Sequence, residues 1–330
     1  MKNLFFRPNT WLKMETDSER CEKEQAQMEK VALSFEKAMK GIGTDENRII
    51  REVVAYNNRQ RQLIKSKYLV LTGKEIEEDF KSEIGGFFLE AVLALFMPVD
   101  DYEASILHQA FQGMGTNEQK IIEILCTKNA EEIREVKNAY RKMYRTELEA
   151  DLKNEEGGDL GRLFRSLASG GRRENHGYDK EFIEKETQNL YDAGEGKTGT
   201  DEKEFVRILS SRSFAELNAI FALYKESFEN DLEQAIKDEF SGDLCEALLT
   251  IVKCVRNRPR YFAEFLGRSV QEKKNFEQDL LQVVIRRAEI DLPEINDEFK
   301  KMYGRSLTDL VHKQADGDFK KLMVALMKKI

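Results

Sequence analysis

Proline and cysteine are scarce in this chain, four of each in 330 residues. With 41% hydrophobic and 35% charged residues, so little proline marks a soluble, folded, helix-rich composition rather than a disordered one. Cys21, Cys126, Cys245 and Cys254 form neither a CxxC pair nor a dense framework, which excludes a disulfide scaffold and points to a reducing compartment. The three histidines, His108, His176 and His312, lie far apart and build no HExxH-type metal pair. Long apolar runs are also missing. The longest, Phe87 to Val99, is broken by Glu90 and Pro98, and a membrane span needs about 20 apolar residues. The opening MKNLFFRPNTW offers three apolar residues in a row before Arg7 and Pro8, too few for a signal peptide. No Gly-rich phosphate loop, nucleophile elbow or His/carboxylate cluster is present, so no catalytic residue is expected. Positive charge is in deficit: 53 Lys and Arg face 61 Asp and Glu, a net charge of −8. That balance argues against nucleic acid as a partner, and against anionic membranes unless something bridges the two.

What the chain does have is repetition. GIGTDENRII (41–50) returns as GMGTNEQKII (113–122) and again as KTGTDEKEFV (197–206). Counted from the second glycine, Gly43 to Gly115 is 72 residues and Gly115 to Gly199 is 84. Each copy then carries an apolar pair at +6 and +7 (Ile49/Ile50, Ile121/Ile122, Phe205/Val206) and a tyrosine at +25 (Tyr68, Tyr140, Tyr224). A glutamate follows at +40 (Glu83, Glu155, Glu239) and a glycine at +43 (Gly86, Gly158, Gly242). A fourth copy, with its origin at Lys274, keeps the core positions Leu280/Leu281, Phe299 and Gly317. It loses both loop glycines (to Glu272 and Lys274) and the acid (to Gln314). The organisation expected is a tail at 1–25 and repeats at 26–97 and 98–169, then a linker at 170–181 and repeats at 182–257 and 258–330. The Gly and charge content of GGRRENHGYDKE reads as an exposed connection.

Each unit reads as five helices, about twenty in all, with no strand signal. In the first copy a long amphipathic helix opens near Ser18 and stops at Gly41, and Thr44 is placed to cap the next. A third helix lies between Asn58 and Gly73, a short fourth over 74–82, and a buried fifth over Phe87 to Phe96.

One glycine turn is ordinarily a helix cap followed by a helix start, and one exposed glutamate is ordinarily just solvated. The joint loss of glycines and acid in the fourth copy, with the core kept, indicates a shared task. Ca²⁺ fits it. This hard cation takes 6–8 oxygens, commonly backbone carbonyls and a bidentate carboxylate. Glycines let a tight loop turn several carbonyls to one side. Water or a lipid phosphate would complete the shell, and the ion would bridge an acidic protein to an acidic membrane. No EF-hand loop is present; Asp316-Gly317-Asp318 is only a fragment of one.

The four units, with Met-Lys-Gly-x-Gly-Thr and an acid forty residues on, resemble the annexins, a family of Ca²⁺-dependent phospholipid-binding proteins. The resemblance implies an all-α fold of four five-helix repeats in a curved disc, with Ca²⁺ as the ligand and the calcium loops facing the membrane. It implies a first site from the carbonyls of Met39, Gly41 and Gly43 with the Glu83 carboxylate. The second would use Phe111, Gly113 and Gly115 with Glu155, and the third Gly194, Lys197 and Gly199 with Glu239. Weaker accessory positions in the family's style are Thr44 with Glu46, Thr116 with Glu118 and Thr200 with Glu202, residues that helix capping also explains. Some annexins carry an exposed Trp in the third loop; Thr198 stands here.

The fourth repeat is expected to bind no calcium in this manner. Its loop 267–275 instead places Arg268, Lys273 and Lys274 where the site would be, either against anionic headgroups or as a merely solvated loop. The tail is apolar for an arm (Leu4, Phe5, Phe6, Trp11, Leu12, Met14) and either packs on the core or binds a protein partner. The expected activity is reversible, peripheral, calcium-dependent binding to anionic phospholipid membranes, from the cytoplasm, with lateral self-association there and unconventional secretion both compatible. Roles in membrane organisation, aggregation, repair or trafficking would follow. The alternative is a helical-repeat scaffold for protein or cytoskeletal partners, with calcium secondary. Ion conduction, proposed for annexins, is set aside. Lys128 stands where the family often has Arg, but Ile106 where it often has Glu.

Overall fold

The computed structural model describes residues 17–112, 115–155, 157–173, 177, 179–272 and 275–328, with the side chains of 17, 19, 154 and 155 outside that description. The described residues form helices joined by turns and contain no strand. The first copy holds α1 (Asp17–Met39), α2 (Glu46–Ala55), α3 (Asn58–Thr72), α4 (Ile76–Glu83) and α5 (Gly86–Leu95). The second holds α6 (Val99–Ala110), α7 (Glu118–Leu125), α8 (Ala130–Tyr144), α9 (Leu148–Glu155) and α10 (Gly158–Ala168). The third holds α11 (Lys180–Ala193), α12 (Glu202–Ser211), α13 (Phe214–Phe228), α14 (Leu232–Glu239) and the first part of α15 (Gly242–Glu272). The fourth takes the rest of α15, then α16 (Phe276–Arg287), α17 (Leu292–Tyr303), α18 (Leu307–Gln314) and α19 (Gly317–Lys328). Helix α15 breaks at Asn257, whose backbone is extended. Asn257 Oδ1 accepts from the Arg260 N–H and restarts the helix, with Pro259 in its first turn. The chain divides into two compact units, Met1–Gly85 and Gly86–Ile330.

The caps are written in the sequence. Asn57 and Gln60 form a reciprocal capping box on α3, and Asn129/Glu132, Ser213/Glu216 and Ser306/Asp309 repeat it on α8, α13 and α18. At α2 the expectation of a threonine cap is corrected. Asp45 caps, accepting from the Arg48 N–H, and Asn117 and Asp201 do the same for α7 and α12. A carboxylate is well suited to the positive end of a helix, which leaves Thr44 for another partner. The linker also departs from expectation. Arg172 is buried, and its guanidinium donates to the carbonyls of Leu209 and Arg212 at 3.0 and 2.7 Å. Its neighbour Arg173 pairs with Glu216 at 3.3 Å. Backbone carbonyls at the end of α12 need a donor, and an arginine supplies it.

The recurring apolar positions form the core. Ile49, Ile50, Ile121, Ile122, Phe205, Val206, Leu280 and Leu281 are all buried. So are Tyr68, Tyr140, Tyr224 and Phe299 at the +25 position. A buried phenol needs a partner. Tyr68 donates to Asp79 at 2.5 Å and Tyr140 to Asp151 at 2.6 Å, each acid lying at +36. The third copy has Ala235 at +36, and there Tyr224 donates at 2.5 Å to Glu195, from the longer loop after α11. The fourth has Phe299 and Leu310 in these places, so hydroxyl and acid disappear together.

In the second unit Glu103 is fully buried between two cations, with Lys128 Nζ at 2.7 Å and Arg286 Nε at 3.0 Å. Arg286 also donates to the Glu123 carbonyl at 2.9 Å, joining the second repeat to the fourth. Burial alone would raise the Glu103 carboxyl, but the two charges outweigh it and hold the group below the ordinary carboxylate range.

Two outcomes follow in urea and pH titrations of the full chain. Tyr68→Phe costs about 1–2 kcal/mol, and adding Asp79→Leu recovers part of that loss, because both halves of the pair are then apolar. Strictly additive losses would show that the two are uncoupled. A carboxyl lowered in the folded state contributes stability at pH above its unfolded value, and this is lost as pH falls through the folded one. Lys128→Met therefore costs about 3 kcal/mol at neutral pH and moves the onset of acid unfolding to higher pH.

Candidate metal centre

Each glycine loop follows the first helix of its repeat and is closed in the same way. The N–H of Asp45 donates to the Ala38 carbonyl at 2.9 Å, that of Asn117 to Ala110 at 2.9 Å, and that of Asp201 to Ala193 at 2.7 Å. Between these anchors the chain must reverse within a few residues. Gly41 (φ +120°) and Gly43 (φ +84°) take left-handed backbone to do so, as do Gly115 (+101°) and Gly199 (+79°). No atom lies within 4 Å of where a Cβ would stand on any of these four, so conformation, not space, requires glycine.

The distant glutamate meets the loop. Glu83 is the last residue of α4, and the Thr44 hydroxyl donates to its Oε2 at 3.0 Å. In the third copy the Thr200 hydroxyl donates to Glu239 Oε2, and Glu239 ends α14. This role for threonine, not seen from sequence, had a signal: Thr stands at +1 in all three intact copies and gives way to Asn275 in the fourth. Met39 ends α1, one residue before the turn. Phe111 caps α6, and Gly115 opens the second turn. Gly113 and the side chain of Glu155 lie outside the described residues. In the third loop the Lys197 N–H donates to the Gly194 carbonyl at 3.1 Å, and the Lys197 ammonium faces Asp201 at 4.0 Å. A Cβ on Gly194 would stand 3.2 Å from Phe205 and 3.6 Å from Glu239 Cγ. Glycine there keeps the space beside the carboxylate open. Glu195 is held by Tyr224 and by Asn230 Nδ2 at 2.6 Å, which pins the loop to α13.

These groups fit Ca²⁺. In the first and third loops a carboxylate is held at a glycine turn, and oxygens of that kind, with backbone carbonyls, are the set a hard and flexible cation accepts. No three His, Cys, Asp or Glu converge among the described residues. A cation held here would therefore need backbone oxygens as well. Of the accessory pairs, Thr44 and Thr200 are spent on the main acid, and Glu46 and Glu202 occupy the first turn of their helices.

The fourth copy is different in kind. The expected loop 267–275 is helical as far as Glu272, since nothing in RSVQE stops α15. Arg268 is engaged by Glu246 at 3.4 Å, and Ser269 donates to Asp279 at 2.7 Å. Lys273 and Lys274 lie outside the described residues, as do tail residues 1–16.

Four helical repeats, three of them with a glycine loop and an acid forty residues on, define a class of helical-repeat protein suited to binding a cation, and comparison identifies it. The Annexin family profile matches residues 30–95, 102–167, 186–251 and 261–326. The chain belongs to the annexin family, whose members are known as Ca²⁺-dependent phospholipid-binding proteins. It is 40% identical to annexin A13 of Mus musculus over 296 residues, covering 90% of this chain and 93% of that one. Among solved structures, annexin III superposes with a TM-score of 0.88 at 36% identity, over 91% of this chain and 93% of that one. A calcium-bound annexin (Sm)1 superposes with a TM-score of 0.81 at 27% identity, over 91% and 90%. No described helix is long and apolar enough to cross a membrane.

Gly43→Ala isolates the conformational requirement. It is expected to destabilise by about 1 kcal/mol in urea unfolding, and Gly43→Asn by less, because Asn tolerates left-handed backbone. Equal losses for both would mean that lost space rather than φ sets the cost.

Proposed function

We propose that this protein binds anionic phospholipid membranes reversibly when calcium is raised, through three of its four repeats and without catalysis. The observation that carries the reading is the hydroxyl of Thr44, and likewise of Thr200, holding a glutamate from forty residues away against a glycine loop. The carbonyls of Met39, Gly41 and Gly43 with Glu83 would hold one ion, and Phe111, Gly113 and Gly115 with Glu155 a second. Gly194, Lys197 and Gly199 with Glu239 would hold the third. Bound there, Ca²⁺ supplies positive charge with coordination positions left for a phosphate oxygen. Thr44 and Thr200 orient the carboxylates of Glu83 and Glu239, and the glycines would keep the carbonyls on one side. A chain of net charge −8 has little affinity of its own for an acidic surface, so release on calcium withdrawal follows from the same electrostatics. Three loops on one chain add avidity, which makes binding steep in calcium. In a cell this describes a cytoplasmic protein that becomes peripheral to membranes as calcium rises.

Co-sedimentation with phosphatidylserine-containing and with neutral vesicles, across a calcium titration reversed by chelator, tests the reading. Pelleting is expected with the anionic set alone. Glu83→Gln, Glu155→Gln and Glu239→Gln should each raise the calcium needed by about tenfold or less, and the triple variant should stay in solution. No pelleting of the wild-type chain at millimolar calcium would refute it and favour the protein scaffold.

A further inference from the structure

The first unit carries an apolar surface that its sister repeats lack. Leu69, Val70 and Leu71, in the last turn of α3, are 41%, 80% and 45% exposed. At the first two of these positions the second copy has Arg141-Lys142, the third Lys225-Glu226 and the fourth Lys300-Lys301. Those charges are the ordinary choice for a solvated helix end near its negative pole. Three consecutive exposed aliphatic residues at such a position expose area that water disfavours.

Where α3 ends decides what covers it. A cleft of about 480 Å³ in this unit is lined by Met39 and Lys40 at the end of α1, Leu71 and Thr72 at the end of α3, and Ser82 and Glu83 at the end of α4. Three helices thus finish around the first glycine loop, and the apolar turn is continuous with the rim of that loop. Ile42, between the two loop glycines, is fully exposed on the same end of the unit. The Glu29–Lys67 ion pair, at 2.7 Å, lies one turn back along α3 and marks where the polar flank resumes. An apolar rim around a site that faces a lipid phosphate lies at the depth where headgroups give way to acyl chains.

We propose that Leu69, Val70 and Leu71 form an apolar shoulder that enters the interfacial region of the bilayer when the first loop is loaded, making repeat one the membrane-seated repeat. This rests on the calcium-dependent membrane reading above. Apolar burial adds to phosphate coordination there and is insensitive to salt, unlike the contacts of a purely ionic site.

The test uses the full chain with Val70→Trp in a Trp11→Phe background, so that the single tryptophan reports on the shoulder. Vesicles contain phosphatidylserine, with or without lipids brominated high on the acyl chain. Addition of calcium should shift emission to the blue, and the brominated lipid should quench it. In parallel, Leu69→Gln with Val70→Gln should raise the calcium needed for half-maximal pelleting about threefold or more, while leaving chain stability unchanged. Calcium-dependent pelleting with unshifted, unquenched emission and no effect of the glutamines would overturn the shoulder and leave the membrane reading standing. Absence of pelleting would overturn both. A second copy as occupant would appear as a wild-type dimer in sedimentation velocity, without vesicles, that the glutamines dissociate. The chain's own tail would appear as tryptophan emission already blue without vesicles and shifted to the red on deletion of residues 1–16. Either result would also overturn the proposal.

Discussion

A glutamate held against a glycine loop forty residues upstream is the contact on which the functional architecture rests. The threonine hydroxyl that fixes Glu83 or Glu239 belongs to the loop, while the glutamate ends the fourth helix of the repeat. The intervening helices exist, in this sense, to return the chain to its starting point with about ångström accuracy. Their own demands are met first: side-chain caps at many helix starts, left-handed glycines at several ends, and a core residue at every recurring apolar position. Once those are satisfied, loop and acid meet through the threonine hydroxyl, which bonds the carboxylate. The low cost of that bond leaves the carboxylate available to a better partner.

The same economy explains how the repeats diverge. The buried tyrosine at +25 draws its acceptor from +36 in two copies, from the glycine loop itself in the third, and needs none in the fourth, where it is Phe299. Packing tolerates each solution because the ring occupies the same space. In the third copy Glu195 ties the loop to α13, so that loop's position depends on a core tyrosine in a way the other two do not. The fourth copy has lost glycines, threonine and acid together, and its first helix runs on to Glu272 where a loop would have begun. A loop with no ligand to hold has no reason to resist becoming helix.

Buried charge is the other theme. Glu103, Lys128 and Arg286 bring three ionised groups out of water in the second unit, between the second and fourth repeats. Such a triad is seldom the most stabilising filling for a core, but it tolerates only one register between the elements that supply it. Lys128 drew notice in the sequence only as standing where the family often has Arg. Its partners drew none, since Glu103 and Arg286 are 183 residues apart.

The repeat, the helix content and the candidate ligands were legible in the chain itself, because each is periodic or local. Glycines recur with a fixed offset from an acid, caps sit beside the helices they start, and four copies allow each position to be read against the others. Three things needed the tertiary structure. Thr44 turned out to serve Glu83 rather than α2, Arg172 to be buried within a segment that looked exposed, and the last turn of α3 to lie beside the first glycine loop. Each depends on where a helix ends in space relative to another far along the chain. Composition and periodicity carry no information about that, because a side chain's partner is chosen by proximity, and proximity between distant segments is created only when the core packs.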